Sequence, residues 1–195
     1  GTYSWLGSGR SQVSDYIATD YASSSLTIVP SMEYKLDRNH ASVEIGGIRI
    51  HMDADKIVYA PSESGVKQMK VADSLLYHEL VVPRGRMCEV ELIDGTRVKL
   101  NADSRLRYPI TFRDSLTRTV YLDGEAYFDV RTDSLRPFIV KTSNVETRAY
   151  GTKFNVKAYA KDLRARVMLE EGQINVVGRD RVVRTLSPGD YVAYD

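Results

Sequence analysis

Three polar residues in one short segment have the types and spacing of a metal site. His51, Asp53 and Asp55 alternate along the chain, and alternate residues of a β-strand share one face. An imidazole with two carboxylates suits a divalent cation. The intervening positions 48, 50 and 52 are apolar, so the polar row also fits the solvated face of a half-buried strand. We keep the row as the metal candidate and prefer the solvated-face interpretation; the sequence indicates no cofactor.

Asp123 and Glu125 are the candidate carboxylate pair of a glycosidase, the one enzyme class that the residues suggest. They flank Gly124, however, where Asp and Gly also suit a turn. The single cysteine, Cys88, stands in no register with a histidine or aspartate, and we interpret it as a core residue. Phosphate-loop, dinucleotide and serine-hydrolase motifs are missing from the sequence. The sequence therefore predicts no catalytic residue and a protein that is not an enzyme.

Composition favours a globular binding protein. The 195 residues include 27 Lys and Arg against 26 Asp and Glu, a net charge of +1, and 43% are hydrophobic. This balance argues against a nucleic-acid partner, because the basic stretch from Arg84 to Arg118 is interrupted by acidic residues. No apolar run approaches the roughly 20 residues of a membrane span. The sequence begins at Gly1 without a methionine, and we interpret it as an excised piece of a longer chain.

Apolar residues alternate with other residues in short segments through most of the chain. This period of two predicts strands with one buried face. Near the start, Val13, Ile17 and Tyr21 recur every four positions and predict a short helix. We therefore expect a lead-in over residues 1–30 and a β domain over residues 31–195. The fold class is all-β, as a two-layer sandwich or a twisted, solenoid-like stack of short antiparallel strands.

Glycines mark the expected structural turns. Gly46-Gly47 fits a two-residue hairpin loop, because it sets Ile45 opposite Ile48 on one face. Two-residue loops at Asp94-Gly95 and Asp123-Gly124 would instead oppose apolar and charged residues, so each must hold a bulge or be a corner to a second sheet. Three Asp-Ser-Leu tripeptides, from Asp73, Asp114 and Asp133, also predict turns. The turn glycines are Gly46, Gly47, Gly95, Gly124, Gly151, Gly172 and Gly189.

Six sequence blocks occur in the order and spacing of a known family. They are residues 82–85 with 90–104, 106–109, 118–130, 137–140, 150–156 and 169–176. The blocks include the runs DGTRVKLNADS, YLDGEAYFDV and YGTKFNV. Over about residues 82–194 the sequence resembles the domain of FecR-like anti-sigma factors.

The resemblance implies a role in signal relay. Members of that family are single-pass inner-membrane regulators of Gram-negative bacteria. Their cytoplasmic segment holds an extracytoplasmic-function sigma factor, and their periplasmic part receives a signal from the signalling domain of a TonB-dependent outer-membrane transporter. By this resemblance the chain is a periplasmic fragment without the cytoplasmic segment, the membrane helix or the small C-terminal domain. The sigma factor would be reached through the absent cytoplasmic segment, and the membrane only through the absent helix.

Aromatic content leaves one alternative open. Thirteen tyrosines and Trp5 could supply stacking platforms in a carbohydrate or cell-envelope binding β module. Most of these tyrosines occupy strand positions, where packing also accounts for them.

Overall fold

The described part of the chain consists of β-strands and their connections. The computed structural model describes residues 17–18, 25–27, 34–36, 41–45, 48–53, 56–61, 77–113, 115–162, 164–179 and 181–194. Its strands are β1 Ile17–Ala18, β2 Ser25–Thr27, β3 Tyr34–Leu36, β4 Ala41–Ile45, β5 Ile48–Asp53, β6 Lys56–Pro61, β7 Tyr77–Val82, β8 Cys88–Glu91, β9 Arg97–Leu100, β10 Ser104–Pro109, β11 Arg118–Asp129, β12 Phe138–Lys141, β13 Val145–Ala149, β14 Lys153–Ala158, β15 Ala165–Glu171, β16 Ile174–Gly178, β17 Val183–Leu186 and β18 Tyr191–Tyr194. The all-β prediction is confirmed.

Two ladders of strands form the two layers. The first ladder runs in the order β1, β2, β7, β10, β11, β12, β13, β16, β17, with β11 and β12 parallel. The second runs β3, β4, β5, β6, β8, β9, β11, β14, β15, β18, with β6 and β8 parallel. Neighbours are otherwise antiparallel. Strand β11 belongs to both ladders.

Gly124 is the corner at which β11 passes from one ladder to the other. Before it, Tyr121 pairs with β10 and β12; after it, Tyr127 pairs with β9 and β14. Gly124 has φ +126, and an added Cβ would lie 2.6 Å from the Ser104 Cα. Only glycine fits this conformation and this close approach. The apolar pattern predicts a bulge or a corner here, and the structure shows the corner.

The hairpin between β8 and β9 shows the other solution to the same register problem. Glu91 pairs with Arg97, and the Leu92 N–H donates to the Thr96 carbonyl at 2.8 Å. Three residues, 93–95, therefore form the loop, and Gly95 closes it with φ +83. The odd loop length keeps Leu92 and Thr96 on the buried side, as the alternation requires.

The core lies between the two ladders. Phe138 of the first ladder and Phe128 of the second approach with ring centroids 6.1 Å apart, and both are fully buried. Phe154 stacks on Phe128 at 5.2 Å. Cys88 is also buried, as the sequence analysis predicts. This face-to-face packing makes the protein a two-layer sandwich joined through a strand that both layers share.

The predicted N-terminal helix is wrong where the structure describes it. Ile17 and Ala18 form β1 and pair with Leu26 and Ser25 of β2. A short helix is marginal without tertiary packing, and β-branched Ile17 is well suited to a strand. The other residues of the predicted helix, the Gly46-Gly47 turn and the tripeptide at Asp73 lie outside the described residues. In the described ranges, no helix is long and apolar enough to cross a membrane.

Candidate functional site

A buried arginine fastens the two ends of β11 together. Arg118 is 1% exposed. Its Nη1 donates to Asp94 Oδ2 at 2.8 Å and to the Arg131 carbonyl at 2.9 Å, and its Nε donates to the Arg136 carbonyl at 3.0 Å. The face of Phe138 lies 5.5 Å from the guanidinium carbon. Because β11 bends at Gly124, the Arg118 side chain at the start of this strand can bond the backbone of Arg131 and Arg136, which follow its end.

Asp94 connects this arginine to the β8–β9 loop. Its Oδ1 accepts from the Thr96 N–H at 3.1 Å, and its Oδ2 accepts from Thr96 Oγ1 at 2.9 Å. Thr96 Oγ1 in turn accepts from the Arg131 N–H at 3.2 Å. We call Asp94, Thr96, Arg118 and Arg131 the arginine cluster. The cluster joins the start of β11 to the β8–β9 loop and the β11–β12 loop at one end of the sandwich.

Two exposed leucines lie on the loops that this cluster supports. Asp133 accepts the N–H groups of Leu135 and Arg136, an Asx turn that bears out the predicted turn at the third tripeptide. The Arg136 guanidinium also donates to the Phe112 carbonyl of the neighbouring loop at 3.3 Å. Leu135 and Leu116 are 88% and 89% exposed. This end of the sandwich therefore offers apolar side chains on well-fastened loops.

A second buried cluster is neutral. The hydroxyl of Tyr59 lies 2.6 Å from His78 Nδ1 and 2.9 Å from the Tyr108 hydroxyl, and all three residues are buried. Burial lowers the pKa of His78 from 6.5 to about 4 and raises the pKa of Tyr59 and of Tyr108. All three groups are therefore uncharged at neutral pH. We call them the tyrosine–histidine cluster; it joins β6 of one layer to β7 and β10 of the other.

The three candidate metal ligands lie only partly within the described residues. His51 and Asp53 belong to β5, and His51 is exposed, as a solvated face predicts. Asp55 lies outside the described residues. Among the described residues, no group of three His, Cys, Asp or Glu side chains could hold a metal ion.

The carboxylate pair is engaged in structural contacts. Asp123 accepts the Ala160 N–H at 2.7 Å, and Glu125 accepts the side-chain amides of Asn101 and Asn155 at 3.3 and 3.2 Å. Lys157 lies 3.5 Å from Glu125 Oε2. Both carboxylates therefore fasten neighbouring strands and loops around the β11 corner. Glu125, Asn101 and Asn155 border a shallow cavity of about 180 Å³.

Several surface charges and two tyrosine rings are matched within the protein. Arg97 pairs with Asp129, and Arg105 pairs with Glu79. The guanidinium of Arg107 lies 4.3 Å from the centre of the Tyr77 ring and 5.5 Å from that of Tyr121, so it covers two rings that could otherwise stack on a sugar.

The turn glycines that the structure describes all have positive φ but lie in different settings. Gly95, Gly172 and Gly189 have φ of +83, +91 and +90 in loops, whereas Gly124 lies within a strand at the corner. Gly151 has φ +150 just before β14.

An exposed edge near the end of the chain was not predicted from the sequence. Among the described residues, β18 pairs only with β15, and it carries Tyr191, which is 65% exposed. Met168 of β15 lies opposite Tyr191 and is 50% exposed. The uncharged run YVAY after Pro188-Gly189-Asp190 was the available signal. The sequence alone cannot show that a strand at this position lies at an edge of the sheet.

Comparison with known proteins agrees with this architecture. The family model described as FecR protein matches residues 78–175, from the start of β7 into β16. This chain belongs to the FecR family. The match contains the whole arginine cluster and two of the three members of the tyrosine–histidine cluster. Tyr59, β17 and β18 lie outside it.

Two crystal structures of a candidate anti-sigma factor from Parabacteroides distasonis are similar to this FecR-family chain. One has 35% sequence identity and a TM-score of 0.57, and the match covers 62% of this chain and 60% of that one. The other has 35% identity and a TM-score of 0.55, with coverage of 60% and 59%. The match thus spans about three fifths of those chains. No curated protein sequence matches this chain.

Proposed function

We propose that this chain is the periplasmic signal-relay part of a FecR-like anti-sigma factor. In this role it receives a signal from the signalling domain of a TonB-dependent outer-membrane transporter and passes it to an extracytoplasmic-function sigma factor in the cytoplasm. The match of the FecR family model to residues 78–175 carries the proposal. The 35% identity to a candidate anti-sigma factor supports the same role.

The geometry suits a protein that acts by contact. A relay must hold its shape while a partner binds one part of it. Here β11 runs through both layers, and Arg118 ties its start to the segment after its end. Force or displacement at one layer is therefore carried to the other through covalent backbone and a buried ion pair. The exposed Leu116 and Leu135 and the β18 edge are available surfaces for partners.

A binding measurement with the transporter tests this proposal. The signalling domain of a TonB-dependent transporter from the same organism would be immobilised. It would be offered the chain, both alone and within the full-length protein. We expect retention of the full-length protein and weaker retention of a variant in which Leu116→Asp and Leu135→Asp place charges on the two exposed leucines. An exposed-site variant, Arg113→Gln, serves as the matched control and should be retained. If neither the chain nor the full-length protein is retained, the transporter is not the partner.

A transcription measurement tests the other end of the relay. A reporter gene driven by the sigma factor's promoter would be compared in cells with the intact gene and in cells that produce Gly124→Ala. We expect the inducing ligand to activate the reporter only with the intact protein. Equal induction in both strains would show that this domain takes no part in the relay.

A further inference from the structure

The edge strand β18 has backbone groups that point away from the protein. The Asp190 carbonyl accepts the Leu169 N–H at 3.0 Å, and Val192 pairs with Val167, so residues 190, 192 and 194 turn their backbone groups toward β15. Successive residues of a strand alternate in this direction. The N–H and C=O groups of Tyr191 and Ala193 therefore point outward, where the described part of the chain offers them no strand.

Apart from its length of four residues, this edge lacks the protection that exposed edges usually have. Natural edge strands are blocked by lysines, prolines, bulges or inward-pointing charges. Residues 191–194 read YVAY and contain none of these. The neighbouring edge strand β17 differs, because it carries Arg184. A strand of this kind is suited to pairing with an added strand.

Strand β18 is also held in place, as a docking edge must be. Val192 and Tyr194 pack against the core, and Arg184 Nη1 donates to the Tyr194 hydroxyl at 2.9 Å. The Gly189 N–H donates to the Leu169 carbonyl at 3.0 Å and fixes the turn that precedes the strand. A partner strand would therefore meet a formed template and would pay only for its own ordering.

Side chains beside the edge indicate the chemistry of the partner. On the outer face, Tyr191 and Met168 are exposed apolar groups, and Arg166 lies opposite Ala193 with its guanidinium 5.7 Å from the Tyr191 ring. Lys157 of β14, opposite Arg166, pairs with Glu125, so Arg166 is the cation nearest this part of the edge. An added antiparallel strand would therefore favour an acidic residue beside Ala193. It would also favour apolar residues on the inner side, next to Val192 and Tyr194.

We propose that β18 accepts an extended segment of a partner protein, added antiparallel to the sheet, with apolar residues on its inner face and an acidic residue beside Ala193. The role of this edge as the contact surface of the signal relay depends on the proposed function. The addition of a strand to β18 does not depend on it. Peptide binding in solution can therefore succeed where the transporter or reporter experiments fail, and the reverse also holds.

Nuclear magnetic resonance titration of the isotope-labelled chain tests the proposal. The probe is the blocked peptide Val-Glu-Val-Thr-Val, whose antiparallel register places glutamate beside Ala193. We expect saturable shifts of the Tyr191 and Ala193 amide signals, because these N–H groups point outward. The same peptide methylated on its glutamate and threonine nitrogens, which face β18 in this register, cannot pair and should cause no shifts. Absence of shifts with the unmodified peptide, or equal shifts with the methylated one, would overturn the proposal.

Two variants sharpen the test. Ala193→Pro removes an outward N–H and no bond to β15, so the folded variant should bind the peptide at least about tenfold more weakly. Arg166→Glu should weaken binding of the glutamate peptide and should favour binding of the peptide Val-Lys-Val-Thr-Val, in which lysine replaces glutamate. This exchange tests the charge preference independently of the proline variant. If the exchange of charge does not change the affinities, the proposed preference for an acidic residue beside Ala193 is wrong. If sedimentation shows a dimer that Ala193→Pro dissolves, the edge binds a second copy and the partner proposal falls.

Discussion

The two buried polar clusters solve the same structural problem with different chemistry. The arginine cluster holds a full ion pair at the end of the sandwich, between Arg118 and Asp94 at 2.8 Å. The tyrosine–histidine cluster joins the layers with neutral groups, because burial keeps His78 unprotonated and both phenols protonated. Each cluster connects elements far apart in sequence, and each replaces apolar packing at its position.

This difference in charge predicts which cluster stays fixed and which responds to pH. A buried ion pair is costly to break, because either partner left alone is an unpaired charge in an apolar surrounding. A neutral hydrogen-bonded chain contributes less, and protonation of its one basic member disrupts it. The arginine cluster, which lies wholly inside the family match, is therefore expected to act as a fixed fastening. The tyrosine–histidine cluster, which recruits Tyr59 from outside the match, is the part that pH can change.

Disruption of the β11 corner at Gly124 should have the largest effect on stability. Gly124→Ala places a Cβ 2.3 Å from Ser104 Oγ in a backbone conformation with φ +126. Overpacking and strain together predict a loss of about 5 kcal/mol in the free energy of unfolding. Both clusters should be lost together, which chemical denaturation and tyrosine fluorescence can measure.

Gly85→Ala is the matched control for the corner. Gly85 also has positive φ, +76, but nothing lies within 4 Å of an added Cβ. We expect a loss of about 1 kcal/mol from backbone strain alone. Equal effects at the two glycines would show that the contact with Ser104 is unimportant.

Removal of the buried arginine should be the next largest effect. Arg118→Met keeps the side-chain length but leaves Asp94 buried without its cation, and we expect a loss of about 4 kcal/mol in the free energy of unfolding. The double variant Arg118→Met with Asp94→Asn should recover part of this loss, because no unpaired charge then remains. Denaturant titration of the three variants measures the coupling. A strictly additive result would contradict a direct ion pair.

Acid should weaken the tyrosine–histidine cluster selectively. The pKa of His78 is lowered to about 4 on folding, so the unfolded chain binds the proton more tightly. His78 therefore contributes its full stability above its ordinary pKa of 6.5 and loses it as the pH falls toward 4. The shift corresponds to about 3 kcal/mol across this range. The difference in stability between wild type and His78→Gln, measured at pH 7 and at pH 4, should shrink by that amount. A difference that stays constant with pH would exclude His78 as its source.

Loss of the Tyr59 hydroxyl should have the smallest effect. Tyr59→Phe preserves the ring contacts and removes the bridge between His78 and Tyr108, with an expected loss of about 1 kcal/mol at neutral pH. Exposed Tyr150→Phe is the control and should change stability by less than about 0.5 kcal/mol. An effect at Tyr59 as large as that of Arg118→Met would erase the distinction between the two clusters.

The alternation of apolar residues was sufficient to predict many of the strands, including the two halves of β11. Along β11, positions 118, 120, 122, 124, 126 and 128 are all buried, and the residues between them are more exposed. This regularity follows from the two-residue period of a strand and needs no knowledge of the partner strands. The same reasoning showed that Asp94-Gly95 and Asp123-Gly124 could not be ordinary two-residue turns.

The N-terminal segment shows where such reasoning fails. Val13, Ile17 and Tyr21 repeat every four positions, yet Ile17 pairs with Leu26 in β1 and β2. In a short segment a repeat of four fits a helix and also fits alternate positions of a strand. The available hydrogen-bonding neighbour decides between them, and that neighbour comes from another part of the chain.

The order of residues alone determined many of the strand segments, the buried face of those strands and the two sites where the chain must bend or bulge. These properties are local, because they depend on side chains only a few positions apart. Tertiary structure alone decided that Arg118 meets Asp94, that Tyr59 meets His78 and Tyr108, and that β18 lies at an edge. Those properties depend on which strands become neighbours, and pairing is settled by the burial of the whole core, which no short stretch of sequence contains.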